Sequence, residues 1–345
     1  MRLTAWLLTL SLCLPAVAEA RRPVRRAAVT AKVGKKKSRR RHVASRSVAT
    51  YTHGGLPNIQ AHAAVVVDLS NDTVVYEKNP DEQRPIASIS KLMAMMVVLD
   101  RKPDLDQTTL ILEEDRRLAL RGARSRLAVG MSFSNRDLLH AVLMASDNRG
   151  VPALGRAVGL APDQLTAEMN HKAQALGLGH TTFGDPTGLD DRNRSTPREV
   201  VKMLRAAIKY PLIAEITRKA EYVAHAIGSK RRWGVEYANT DVYARTGRYH
   251  VLGGKTGYTD LAGYCLAIAA RIEGRGDLGM AFLGADGKMT RFADFARTAQ
   301  WIAEKKPSVT AVATRPQASP GSSASPAASA TPVPGGAASA AGAAH

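Results

Sequence analysis

Cysteine is scarce in this chain. There are two among 345 residues, Cys13 and Cys265. Cys13 lies in an N-terminal apolar stretch that reads as a removable leader, so the mature chain keeps one thiol and can form no internal disulfide. The core must therefore be held by packing. Cys265 sits in the apolar run Tyr264-Cys265-Leu266-Ala267-Ile268-Ala269-Ala270 and reads as a small core residue rather than a nucleophile. The nine histidines are scattered and no His-Glu-x-x-His occurs, which speaks against a zinc peptidase. No motif calls for a metal or an organic cofactor. The leader's apolar run, Leu3 to Pro15, is too short to span a bilayer. No internal repeat is visible.

Acidic residues are missing from a whole segment. Arg21 to Thr50 holds twelve Lys or Arg and no Asp or Glu, including Lys35-Lys36-Lys37 and Arg39-Arg40-Arg41, in a chain of net charge +19. Such a block repels itself and cannot bury a core, so residues 21–55 read as a basic disordered linker. Residues 1–20 before it read as a signal peptide. Arg2 is its positive start, and Ala16-Val17-Ala18 or Ala18-Glu19-Ala20 is a small-residue cleavage site. An uncleaved anchor is the alternative. A lipoprotein reading of Cys13 fails because Leu12 is too large for the residue before the modified thiol. Behind a signal peptide the arm's partners are anionic envelope polymers rather than nucleic acid, with a passive linker as the plain alternative. The expected location is the periplasm or cell envelope. Residues 307–345 are almost all Ala, Ser, Pro, Gly and Thr and read as a disordered tail. The tail has no amphipathic pattern, so no stable membrane anchor is expected after signal cleavage.

Residues 56–306 are patterned like a folded domain. Ala63 to Val67 and Val74 to Tyr76, around Ser70-Asn71-Asp72, read as a β-hairpin. Ser88 to Asp100 is apolar on most faces and reads as a buried helix whose methionines are core filling. Ser134 with Asp137, and Thr196-Pro197 with Glu199, read as capping boxes opening helices to Ala145 and Tyr210. Pro162 to Leu176 reads as a helix stopped by Gly177. The last third returns to strands at Ala220–Ile227, Val251–Thr256, Gly263–Arg271 and Leu278–Gly284, and closes with a helix from Met289 to Lys305. The expected class is α+β, helices packed on a mainly antiparallel sheet with a helical subdomain.

Three short words carry chemistry: Ser88-Ile89-Ser90-Lys91, Ser146-Asp147-Asn148 and Lys255-Thr256-Gly257. Each alone is common. Their order, spacing and context make the signal. A serine hydroxyl attacks only when something takes its proton. Ser88 and Lys91, three apart at a helix start, share a face. Lys91 can act as base if burial and a second cation, Lys255, keep part of it neutral. In this reading Ser146 relays the proton, and Asn148 orients Lys91 or a substrate amide. Lys255 and Thr256 hold an anionic end of the substrate. Gly257 lets the strand edge approach closely, and the backbone N–H groups of Ser88 and Tyr258 form an oxyanion hole. The plain readings are a helix cap, a surface lysine, a polar loop and a strand end.

The chain resembles the low-molecular-mass penicillin-binding proteins, the serine D-Ala-D-Ala peptidases of peptidoglycan (family S11). The likeness extends from the three motifs to Arg84-Pro85-Ile86-Ala87, to Gly122-Ala123-Arg124-Ser125-Arg126-Leu127 with Gly130, to Ala141-Val142-Leu143-Met144, and to Asp185-Pro186-Thr187-Gly188-Leu189 with Asn193 and Ser195-Thr196. It implies a DD-peptidase/β-lactamase-like fold and acylation of Ser88 by a D-Ala-D-Ala-type peptide, followed by hydrolysis. It also implies peptidoglycan peptides as substrates and β-lactams as inhibitors that trap Ser88. Asp147 and the early stop after Lys306 resemble the endopeptidase branch, the penicillin-binding protein 7 type. A D-Ala-D-Ala carboxypeptidase is the alternative. The basic arm and the tail lie outside the family pattern, and Asp241 stands where an amide is expected in an Asn-x-Asn element starting at Asn239. A class A-like β-lactamase would need a second carboxylate to activate water. Asp185 is the candidate, but the usual Glu-x-x-x-Asn pattern is absent. A non-catalytic envelope-binding protein would leave the three motifs unexplained.

Overall fold

The computed structural model describes residues 49–120, 122–228 and 234–305, together with the backbone of Ala311–Val312. The expected signal peptide, most of the basic arm and nearly all of the tail lie outside the described residues.

Strands β1 (Ala63–Asp68) and β2 (Val74–Lys78) form the expected hairpin. Its turn is tied by Asp68, whose carboxylate accepts from the backbone N–H and hydroxyl of Ser70, and Asp72 takes the left-handed conformation. A second hairpin, β3 (Glu221–His225) with β4 (Gly234–Ala238), stands apart from the main sheet. Three long strands complete that sheet: β5 (His250–Thr259), β6 (Gly263–Ile272) and β7 (Gly276–Ala285). Its order is β2-β1-β7-β6-β5, all antiparallel, and Ala311–Val312 pairs parallel to β2 at the outer edge. The strand carrying Lys255-Thr256-Gly257 is therefore the opposite edge.

These strands are apolar at nearly every position because both faces are covered. Successive side chains point to opposite faces. Ala63, Val65, Ala267, Ala269, Ala281 and Leu283 face one hydrophobic core, whereas Ala64, Val66, Leu266, Ile268, Met280 and Phe282 face another. The helical block fills the first. It comprises α1 (Lys91–Asp100), α2 (Asn135–Met144), α3 (Gly150–Ala157), α4 (Pro162–Ala175), α5 (Pro197–Ile208) and α6 (Pro211–Arg218). The second core is closed by α7 (Thr290–Lys305), through Phe292, Phe295, Trp301 and Ile302. In α1 every residue from Lys91 to Val98 is buried, as its all-round apolar pattern predicts, and α1 touches four of the other helices.

Several local expectations are modified. The helix expected from Ser88 starts at Lys91, and Ala87–Ser90 forms a 3-10 turn before it. Both capping boxes are half made. Ser134 and Thr196 accept from the third helical N–H, but the two carboxylates that should reach back are engaged elsewhere. Asp137 accepts from the Tyr222 hydroxyl and the His225 N–H, and Glu199 accepts from the His180 N–H and the Thr181 hydroxyl. Tertiary partners win there because a buried carboxylate gains more from a fixed hydroxyl than from one helix-end N–H. The start of the chain's described part is tied to α7 at two places. Asp294 in α7 accepts from the N–H groups of Gln60 (2.9 Å) and Ala61 (2.8 Å), and Tyr51 hydrogen-bonds Glu304. No helix among the described residues is long and apolar enough to cross a membrane.

Candidate active site

Ser88 lies in the 3-10 turn, wedged between two glycines. A side chain on Gly257 would meet the Ile86 carbonyl at 2.7 Å and the Ser88 nitrogen at 3.2 Å. A side chain on Gly188, whose φ is +84°, would meet the Ala87 carbonyl at 2.2 Å. Only glycine permits either approach. The close approach expected at Gly257 is thus present, and it brings the Tyr258 end of β5 beside the Ser88 backbone. Ala87 itself holds a φ of +47°, strained for a residue with a side chain.

Lys91 is fully buried. Its ammonium nitrogen lies 2.8 Å from Ser88 Oγ and 2.7 Å from Asn148 Oδ1, and it also donates to the Thr187 carbonyl. Burial lowers its pKa to about 7, with the negative charges of Asp185 and Asp147 pulling the other way. The expected burial is the main cause, whereas the expected second cation is not among the causes. The like-charge repulsion falls on Lys255, whose pKa is lowered by burial first and then by Lys91 and Arg291.

The Thr187 carbonyl is aimed by a loop braced internally. Asp185 accepts from the N–H groups of Thr187, Gly188 and Asp190 and from the Thr187 hydroxyl. Asn193 accepts from the Gly184 and Asp185 N–H groups and donates to Ser90 Oγ at 2.9 Å. Both Asp185 oxygens are thereby committed inside the loop, which argues against the water-activating role weighed for a β-lactamase.

The second motif follows the end of α2. Asp147 is buried and accepts from the Ser125 hydroxyl and from the N–H groups of Arg126 and Arg149, so it braces the loop around Asn148. Gly122 packs directly on Asn148: an added Cβ would sit 1.9 Å from its Nδ2. Ser146 has a φ of +63°, and its hydroxyl is buried with no hydrogen-bond partner. The structure therefore brings Ser88, Lys91 and Asn148 into one network and leaves the expected relay, Ser146, uncommitted.

Across the cleft, Lys255 and Thr256 are buried. Lys255 Nζ donates to the Thr256 carbonyl at 3.0 Å, and Thr256 donates to the Thr240 hydroxyl at 2.7 Å. A third cation, Arg291 at the start of α7, holds the carbonyls of Gly257 (2.8 Å) and Cys265 (3.1 Å). Ser88, Ser146, Asn148, Thr256, Gly257 and Tyr258 all line one cleft of about 760 Å³, together with Thr240 and Arg291. Arg291 and Thr240 belong to no short motif and the residues alone did not point to them; Thr187 stands in the block from Asp185 to Leu189, but no role was expected for its carbonyl. The Asn239 element is intact despite Asp241, whose carboxylate caps the turn by accepting from the Tyr243 N–H. Cys265 is fully buried, and burial pushes its thiol up to about 11, so it is a poor nucleophile. Among the described residues no three His, Cys, Asp or Glu side chains gather to hold a metal.

Residues 50–287 match the profile of the S11 peptidases, described as D-alanyl-D-alanine carboxypeptidase. The D-alanyl-D-alanine endopeptidase of Escherichia coli K12 is 35% identical over 254 residues, covering 74% of this chain and 81% of the relative. The D-alanyl-D-alanine endopeptidase of Pseudomonas aeruginosa PAO1 is 36% identical over 251 residues, covering 72% and 80%. Among solved structures, a point mutant of the Streptomyces K15 DD-transpeptidase superimposes with a TM-score of 0.65 at 25% identity, covering 71% of this chain and 98% of that one.

The buried lysine predicts a stability signature. In the unfolded chain Lys91 keeps its proton up to about pH 10.4; in the folded protein it loses it near 7. Between those values the unfolded chain holds the extra proton, so stability rises with pH. The cost of burying Lys91 is full below about pH 7 and fades toward pH 10. Denaturant unfolding across pH 7 to 10 should show a flatter stability rise for Lys91→Met than for the wild type. Equal slopes would mean that Lys91 titrates normally.

Proposed function

The chain belongs to the S11 serine peptidases, and from that premise we propose that it cleaves D-Ala cross-links of peptidoglycan through an acyl-enzyme on Ser88. The observation that carries the proposal is the contact of 2.8 Å between the Ser88 hydroxyl, which lines the cleft, and the fully buried Lys91 amine. With a pKa lowered to about 7, a large fraction of Lys91 is neutral at neutral pH and able to take a proton.

The steps follow. Neutral Lys91 accepts the Ser88 proton as Oγ attacks the D-Ala carbonyl. The backbone N–H groups of Ser88 and Tyr258 stabilise the oxyanion, an arrangement supported by the close packing of Gly257 on Ser88. Lys91 then returns the proton, through Ser146, to the departing amine. The partnerless Ser146 hydroxyl is free for that exchange. Water, deprotonated by the same amine, attacks the acyl carbonyl, and Lys91 passes that proton to the departing Ser88 Oγ, which regenerates the free serine and the neutral amine. Arg291 and the Thr256 hydroxyl, which line the cleft, with Lys255 buried beside them, provide the hydrogen-bonding end for a substrate carboxylate. The free edge of β5 offers backbone groups with which an extended peptide can pair.

The preference for a cross-link rests on the relatives named D-alanyl-D-alanine endopeptidase and on a cleft whose rim, at Tyr258 and Leu261, is exposed and open to a bulky leaving group. The family description favours the alternative, a carboxypeptidase. β-Lactams would acylate Ser88 as substrate mimics. We further propose export to the periplasm, with the basic arm acting as a tether to anionic wall polymers.

Intact mass after incubation with benzylpenicillin should show a one-to-one adduct that is absent from Ser88→Ala, while that variant keeps a cooperative unfolding transition. An adduct on the variant would sink the nucleophile assignment. Purified cross-linked dimer should be cleaved faster than monomeric pentapeptide; faster release of free D-Ala from the monomer would make this a carboxypeptidase. Deleting Arg21 to Thr50 should leave turnover of a soluble muropeptide unchanged and weaken retention on sacculi in a salt-sensitive way, since exposed charges act over about one Debye length, roughly 10 Å at 0.1 M salt. Equal, salt-independent retention would reduce the arm to a passive linker.

A further inference from the structure

Thr240 lies outside all three motifs, yet it joins two walls of the cleft. Its backbone N–H donates to the Met144 carbonyl at 2.9 Å, and its hydroxyl donates to the same oxygen at 3.1 Å. Met144 ends α2, two residues before Ser146. From the opposite wall, Thr256 donates its hydroxyl proton to Thr240 Oγ1 at 2.7 Å. Thr240 cannot drift, because its neighbours are clamped. The Asn239 amide donates to the carbonyls of Thr217 (2.9 Å) and Lys219 (2.8 Å), and Asn239 Oδ1 accepts from the Asp241 N–H at 2.9 Å. Both Asn239 and Asp241 are buried.

The two hydroxyls pose a proton-counting problem. A carboxylate accepts hydrogen bonds and donates none. In the structure the one hydroxyl proton of Thr256 is spent on Thr240. To bind a carboxylate, Thr256 must turn that proton into the cleft, which would break the link between the two hydroxyls and leave Thr256 Oγ1 without a polarising partner. A single further rotation resolves this. Thr240 swings its own proton from the Met144 carbonyl to Thr256 Oγ1. Met144 is not orphaned, because it keeps the Thr240 N–H. The change needs only hydroxyl rotations, and both hydroxyls and the Met144 carbonyl keep at least one hydrogen-bond partner in either state.

We propose that Thr240 is a positioning residue, the second member of a two-state hydroxyl pair that lets Thr256 switch from resting partner to carboxylate donor. The proposal rests on the reading above that Lys255 and Thr256 hold the substrate carboxylate. It explains why a threonine, with its own proton to give, occupies this clamped position. It also connects recognition of the substrate's anionic end to the helix end that precedes Ser146.

The test compares acylation by benzylpenicillin with acylation by its methyl ester, which lacks the free carboxylate. Wild type should prefer the acid, and Thr256→Val should lose that preference. Thr240→Val keeps the side-chain shape and removes the relay. It should raise the saturation constant for the acid roughly three- to tenfold, the scale of one hydrogen bond, and move the limiting acylation rate less. The ester should be affected little, Thr240→Ser should restore the wild-type constant, and the Thr240 effect should vanish in a Thr256→Val background. If Thr256→Val keeps the full preference for the acid, the carboxylate reading itself fails. If Thr256→Val loses it but Thr240→Val leaves the acid unchanged, or shifts acid and ester equally, the relay is wrong and the carboxylate reading stands.

Discussion

The constraint on which the structure turns is the burial of one ammonium group. A lysine amine in water is almost wholly protonated at neutral pH and useless as a base. Removing Lys91 from water brings its pKa to about 7. That removal has a large cost, which the fold offsets with three acceptors: the Ser88 hydroxyl, the Asn148 amide oxygen and the Thr187 carbonyl. Two carboxylates, Asp185 and Asp147, stand behind those acceptors and keep the group from losing its proton altogether.

Much of the surrounding architecture is what that arrangement demands. An apolar, fully covered α1 excludes water from one side. The loop from Gly184 to Asn193 aims a carbonyl from another and is held rigid by Asp185 and Asn193 rather than by regular structure. Gly257 and Gly188 bring an edge strand and a loop within van der Waals reach of the Ser88 turn, where any side chain would collide with backbone. Gly122 does the same against Asn148. Strained φ values at Ala87 and Ser146 mark the places where the chain bends to present these groups. The site is thus assembled mainly from backbone approach and desolvation, with few charged contacts of its own.

Much of this was legible in the residues because it depends on local pattern. The hairpin over Ala63–Lys78, the all-round apolar α1, the proline-started α4 and α5 and the three C-terminal strands each follow from periodicity and turn chemistry. The capping boxes were only half legible: Ser134 and Thr196 cap as their position dictates, but where Asp137 and Glu199 point depends on Tyr222 and Thr181, which are far away in the chain. The same limit hid Arg291 and Thr240. Neither has a local signature, and each matters only because α7 or the Asn239 turn packs against the strand that carries Thr256.

By itself the sequence determined the α+β class and the three words that supply a hydroxyl, an amine and an anion-binding strand end. Those are properties of composition and spacing, which neighbouring residues specify. Tertiary structure alone decided that the three words meet, that burial outweighs like-charge repulsion at Lys91, and that the proton of Thr256 rests on Thr240. Each of these is a matter of distance and dielectric between segments 15 to 170 residues apart, and such quantities exist only once the chain has closed around them.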